Sequence, residues 1–183
     1  IGGVLNISNL ASDCGIDQKT AQNWMGILQK SFIVYLLKPY YNNYSKRLIK
    51  SPKLYFYDTG LASSLLGIEH AAQWSSHPLK GMLFENMMVI DFLKRRINEG
   101  LPDNLYFWKD RTGREIDLIL EGALEVKAYE IKSGETIGSD FFKHLQYYQA
   151  IEQKKAHTHV IYGGNENFTY SNGTQILSWD KAI

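Results

Sequence analysis

Three side chains in the second half of the sequence are of the types that build a divalent-cation site. Asp117 stands in the run Gly113-Arg114-Glu115-Ile116-Asp117. After a short turn comes Glu130-Ile131-Lys132-Ser133-Gly134. Two carboxylates offer the hard oxygen ligands that Mg²⁺ or Mn²⁺ prefers. An ion so held polarises a phosphate ester and acidifies a bound water. A lysine one pleat from the second carboxylate stabilises negative charge as it develops. The chemistry to expect is metal-dependent hydrolysis of a phosphodiester, with Asp117 and Glu130 on the metal and Lys132 beside them.

Such a site needs a hairpin. Residues 115–121 and 124–132 read as two strands joined at Gly122-Ala123. An antiparallel register around that turn sets Glu121 against Leu124, Asp117 against Ala128 and Glu115 against Glu130. Side chains alternate along each strand, so Asp117, Glu130 and Lys132 emerge on one face. Asp117 and Glu130 become diagonal neighbours with Cα atoms ~7–8 Å apart. Glu125-Val126-Lys127 repeats the acid-x-base spacing but falls on the other face, and a one-residue slip would exchange the two. The same spacing also suits a solvated strand face with cross-strand ion pairs.

Two further residues join the candidate set. Glu85 lies in a long helical pattern, 79–98, with Met82, Val89 and Phe92 on its side. A carboxylate on an apolar stripe needs a partner or a raised pKa. It either approaches the metal, directly or through water, or is satisfied by a neighbouring Lys or Tyr. Gln146, in a helix expected near 140–151, is placed to orient substrate or water. The 79–98 pattern is apolar nearly all round and should be buried.

The rest of the chain frames these elements. With 183 residues, 44% of them hydrophobic, it can bury a core in one generous domain or two small ones. Net charge is +1, from 20 basic and 19 acidic residues, so any nucleic-acid surface must be local. Cys14 is the single cysteine. It excludes a disulfide framework, fits a small core position and points to a reducing, cytoplasmic setting. No apolar run approaches the roughly 20 residues of a membrane span. Ile1-Gly2-Gly3 has neither a basic leader nor an initiator Met, as expected for a piece of a longer protein.

Residues 1–67 read as a winged helix-turn-helix. Ile7, Leu10 and Ala11 form an apolar stripe ended by Gly15. Asp17 suits an N-cap. Ala21, Trp24, Met25 and Leu28 then share one helix face. Gln18, Lys19, Gln22 and Asn23 occupy the other, where they would meet base edges and phosphates or form an ordinary polar face. Strands near 32–37 and 54–57 bracket a basic loop with Lys46, Arg47, Lys50 and Lys53, suited to phosphates. Residues 63–77 mark a boundary, and the second domain, 78–183, reads as mixed α/β: helix, three strands, helix, strand. Of the five histidines only His157 and His159 form a close pair of metal-ligand spacing, on one strand face, a spacing that chance readily produces.

Over nearly its whole length the chain resembles the C-terminal region of a group of bacterial and archaeal AAA+ family ATPases that carries a domain of unknown function. The resemblance rests on Lys50-Ser51-Pro52-Lys53-Leu54-Tyr55-Phe56-Tyr57-Asp58-Thr59-Gly60-Leu61 and Gly81-Met82-Leu83-Phe84-Glu85-Asn86. It rests further on Leu105-Tyr106-Phe107-Trp108, Gly113-Arg114-Glu115-Ile116-Asp117 and Glu130-Ile131-Lys132-Ser133-Gly134. It implies a winged helix followed by a PD-(D/E)XK restriction-endonuclease-like domain, a central mixed sheet flanked by helices. The nuclease-like positions it carries over are Glu85, Asp117, Glu130 and Lys132; Ile116 stands where the motif has Pro. It also implies an ATPase module elsewhere in the full-length chain. ATP would bind there, since no Gly-x-x-x-x-Gly-Lys-Ser/Thr run occurs here.

Two functions fit these residues. One is a Mg²⁺- or Mn²⁺-dependent DNA nuclease-like module with a winged-helix reader. The other is a non-catalytic module that binds DNA or a protein partner for the ATPase. Near-neutral charge favours the second; the four polar positions together favour the first.

Overall fold

The computed structural model describes residues 1–41 and 49–182. It opens with α1 (Ile7–Asp13) and α2 (Gln18–Lys30). The Asn6 side chain caps α1 by accepting from Asn9 N at 3.0 Å. Asp17 caps α2 through Thr20 N, also at 3.0 Å. Between them Gly15 takes φ +65°, which a β-carbon would oppose. Strands β1 (Val34–Pro39) and β2 (Lys53–Phe56) follow, then the short helices α3 (Thr59–Leu65) and α4 (Ala71–Ser76). Helix α5 (Lys80–Asn98) leads into β3 (Leu105–Lys109), β4 (Glu115–Glu121) and β5 (Glu125–Lys132). A 3-10 turn (Ser139–Phe142) opens α6 (Lys143–Ile151). Then come β6 (Lys155–Tyr162), the two-residue β7 (Phe168–Thr169) and β8 (Gln175–Ser178).

The strands form one mixed sheet in the order β2-β1-β3-β4-β5-β6-β8-β7. Its two faces carry separate apolar layers. Helix α5 packs Met88, Val89, Phe92 and Leu93 against Phe107, Leu118, Tyr129 and Ile131. Helix α6 packs Leu145 and Tyr148 against Trp108, Ile119, Ala128 and Val160. Neighbours such as Phe107 and Trp108, or Leu118 and Ile119, therefore serve opposite layers, as strand alternation requires. The mixed α/β class read from the sequence is observed.

The hairpin after α2 is an edge of this sheet: β1 pairs antiparallel with β2 and parallel with β3 through Lys38–Tyr106 and Pro39–Phe107. Of the apolar face expected on α2, Ala21 and Met25 are buried, but Trp24 is 55% exposed and Leu28 is exposed as well. Cys14, expected in the core, is also exposed. Among the described residues no helix is long and apolar enough to cross a membrane.

Candidate functional site

The β4–β5 hairpin differs in register from the expectation. Glu121 pairs with Val126, Ile119 with Ala128 and Leu118 with Tyr129. Gly122 N donates to Glu125 O at 2.9 Å, so the tight turn is Ala123-Leu124 and not Gly122-Ala123. Every cross-strand partner moves by two residues, and an even shift leaves each side chain on its face. Asp117 thus comes level with Glu130 instead of lying diagonal to it. Glu125 and Lys127 stay away from it, and Glu125 pairs with His157 at 3.0 Å.

A bulge then re-aims Asp117. Tyr106 pairs with Ile119 and Trp108 with Ile116, so Phe107 alone opposes both Asp117 and Leu118. The β4–β5 ladder ends at Leu118–Tyr129. Beyond it Asp117 Oδ2 accepts the Ile131 N–H at 2.8 Å. One carboxylate oxygen thereby replaces a backbone acceptor at the point where the strands part.

The parting strands open a cleft of about 420 Å³ lined by Glu85, Asp117, Lys132, Gly81, Ser133 and Phe141, among others. Asp117 and Lys132 come from the hairpin and Glu85 from the first turns of α5. Glu130 lies behind the lining, 5% exposed. Its Oε1 receives Lys132 Nζ at 2.6 Å, whereas its Oε2 is buried with no hydrogen-bond partner. Burial and the Asp117 charge push the Glu130 carboxyl up to about 8 against the opposing pull of Lys132. Burial acts to lower the Lys132 ammonium, but Asp117 and Glu130 outweigh it and hold it above its usual value.

Glu85 has partners that the sequence offered only in general terms, as a neighbouring Lys or Tyr. Lys53 Nζ and Tyr55 Oη both donate to Glu85 Oε1, each at 2.6 Å. Burial and Asp117 push the Glu85 carboxyl up to about 7, with Lys53 and Tyr55 opposing. Gly2, at φ +65°, lies beside Glu85, and an added β-carbon would stand in ordinary contact at 3.5 Å from Glu85 Oε2. Lys53 was read as a phosphate contact of a basic loop. It is instead 2% exposed at the start of β2 and also pairs with Glu115 Oε1 at 2.5 Å. Lys109 closes the cluster on Glu115 Oε2. The signal in the sequence was the alternation Lys53-x-Tyr55, which puts both side chains on one strand face.

The other candidates lie elsewhere. Gln18, Lys19, Gln22 and Asn23 are exposed on α2, Lys50 is exposed before β2, and Lys46 and Arg47 fall outside the described residues. Gln146 is exposed on α6 and does not line the cleft. His159 stacks on Tyr129, and burial pushes it down to about 4.

Among the described residues no three His, Cys, Asp or Glu side chains form a ready-made metal cage. The donors nevertheless fit a hard cation. Mg²⁺ commonly takes only one or two carboxylates and completes its shell with water and phosphate. The orphaned Glu130 Oε2 beside Asp117 is the kind of buried atom that an ion would satisfy.

Comparison with known proteins adds family membership. Residues 1–72 match a family described as domain of unknown function DUF8612, and residues 80–182 match domain of unknown function DUF4143. Across all of its length the chain is 28% identical to the uncharacterized protein Mb2031c of Mycobacterium bovis, and equally to the uncharacterized protein Rv2008c of Mycobacterium tuberculosis. It spans 40% of the length of each. No solved structure gives a significant match. With more than half of its residues under one family description, the chain belongs to the DUF4143 family.

Proposed function

We propose that the chain is a metal-dependent, DNA-cleaving module of the PD-(D/E)XK type, attached in longer relatives to an AAA+ ATPase. One observation carries this reading: a bulge and a parting hairpin deliver Asp117 and Lys132 to one cleft with Glu85, backed by the unsatisfied Glu130. Asp117 and Glu130 would hold Mg²⁺ or Mn²⁺. That ion, when bound, supplies charge neutralisation at the scissile phosphate and a more acidic water. Lys132 donates to negative charge as the water oxygen bonds to phosphorus and the ester P–O bond breaks. Glu85, lining the same cleft, would reach the ion through one of its waters. The helix pair α1–α2 reads DNA as a winged helix-turn-helix does, with Gln18, Lys19, Gln22 and Asn23 facing outward and Lys50 on phosphates.

Calorimetry with Mn²⁺ and cleavage of plasmid and linear DNA test the proposal. The chain should bind about one ion, Asp117→Ala should abolish binding, and cutting should require metal. Absence of both heat and cleavage removes it. The second reading, a binding module without catalysis, gains from the pairing already present: Lys53 on Glu85 and Lys132 on Glu130 neutralise much of the cluster. DNA binding with no cutting in any metal would select it.

A further inference from the structure

Lys53 is an ammonium held almost entirely away from water, and such a charge persists only when it is paired. Its partners come from two different elements. Glu85 belongs to α5, and Glu115 stands two residues before Asp117 on β4. One cation therefore bridges the two elements that supply the cleft's carboxylates. Tyr55 reinforces the tie from the same strand face, and both donors converge on the same oxygen of Glu85. Among the described residues, Glu85 Oε2 receives no hydrogen bond and remains available to the cleft that Glu85 lines with Asp117. Lys53 and Tyr55 lie in the segment 1–72, whereas Glu85 and Asp117 lie in 80–182.

We infer that Lys53, seconded by Tyr55, is the positioning residue of the cleft. It sets the Glu85 carboxylate relative to Asp117, so both segments of the chain build the site. The inference rests on the cation-site reading above. Its test uses Tyr55→Phe and Lys53→Met in the full chain, with Mn²⁺ affinity read by calorimetry. Partners of this kind typically change metal affinity about 10–100-fold when removed. Tyr55→Phe removes a donor at constant charge and should weaken Mn²⁺ by that amount, and the loss should vanish in a Glu85→Gln background, since the effect runs through Glu85. Lys53→Met also removes a charge that repels the ion, so its effect is read from the Glu85 position in its crystal structure. A Tyr55→Phe chain that loses only unfolding midpoint, or whose Mn²⁺ affinity falls equally in the Glu85→Gln background, overturns the inference. Tyr55→Phe keeps the ring in place and stays informative if Lys53→Met fails to fold. A wild-type chain that binds no Mn²⁺ sinks the cation site alone. Crystal structures of the two variants then decide the matter: a Glu85 carboxylate displaced from Asp117 in either supports positioning, and one unmoved in both overturns it.

Discussion

Glu130 carries one oxygen on Lys132 and the other sealed in the interior without a donor. Its carboxyl, pushed by burial from 4.5 to about 8, makes the folded state the tighter proton binder between those values. Stability from this group is therefore complete below about pH 4.5 and is lost as pH rises toward 8. Glu85, raised to about 7, acts in the same sense. His159, pushed down to about 4 by burial, acts oppositely, but its contribution is complete by its ordinary 6.5. Glu115, held low by Lys53 and Lys109 against burial, matters only in acid. The Ile1 ammonium, pushed down from 8.0 by burial, opposes this loss up to pH 8, but Glu130 and Glu85 shift further, so between pH 6.5 and 8 the metal-free protein should lose a few degrees of melting temperature. Glu130→Gln should flatten that slope, and Mn²⁺ should raise the midpoint most at pH 8. Scanning fluorimetry across the range checks all three, and a wild-type slope equal to that of Glu130→Gln would refute the assignment. At this scale the acid-x-base pattern was legible because alternation alone sets faces. Lys53 was not, because a lysine following Lys46, Arg47 and Lys50 resembles a solvated loop until the carboxylates from distant elements are in place.

The two runs Lys53–Gly60 and Gly81–Asn86 acquire a shared physical meaning when β2 meets α5. Lys53 and Tyr55 bind Glu85, and the next residue, Asn86, binds the backbone just beyond them. Asn86 is fully buried. Its Oδ1 accepts from Phe56 N at 2.7 Å, and its Nδ2 donates to Phe56 O at 3.0 Å and to Thr59 Oγ1 at 2.9 Å. It thus completes the backbone at the end of β2, where Asp58 caps α3 through Leu61 N at 2.9 Å. Asn86→Leu keeps the γ-branched heavy-atom skeleton and strands both Phe56 groups. An unsatisfied buried group costs about 1–3 kcal/mol, so the expected loss is about 2–5 kcal/mol by urea unfolding. A loss under about 1 kcal/mol would mean that water replaces the amide. Strand and helix positions were largely legible from apolar periodicity. The register and the bulge were not: Gly122-Ala123 and Ala123-Leu124 are both short turns, and they differ by two residues in pairing. Facing does not distinguish them, since both put Leu118 toward α5 and Ile119 toward α6; what differs is which side chains stand opposite, Leu118 with Tyr129 and Ile119 with Ala128.

At the scale of the molecule, helix-helix-hairpin order read as a separate winged unit, yet the hairpin continues the sheet. That junction is illegible in sequence because the β1–β3 pairing spans two residues on each strand and joins distant parts of the chain. Its consequence is mechanical. Residues 1–72 cover the β3 edge, contribute Tyr35, Leu37 and Tyr55 to the core over α5, and supply both donors to Glu85. Removing them exposes a strand edge and apolar surface and leaves Glu85 and Glu115 without Lys53. A buried carboxylate deprived of its cation is strongly destabilising, by about 3–5 kcal/mol. The full chain should therefore unfold in one cooperative step by calorimetry and circular dichroism together. A fragment of residues 80–182 should bind a hydrophobic dye and melt broadly. If that fragment instead melts sharply near the midpoint of the full chain, the two segments are independent, and the N-terminal one contributes a neighbour and not a structural half of the cleft.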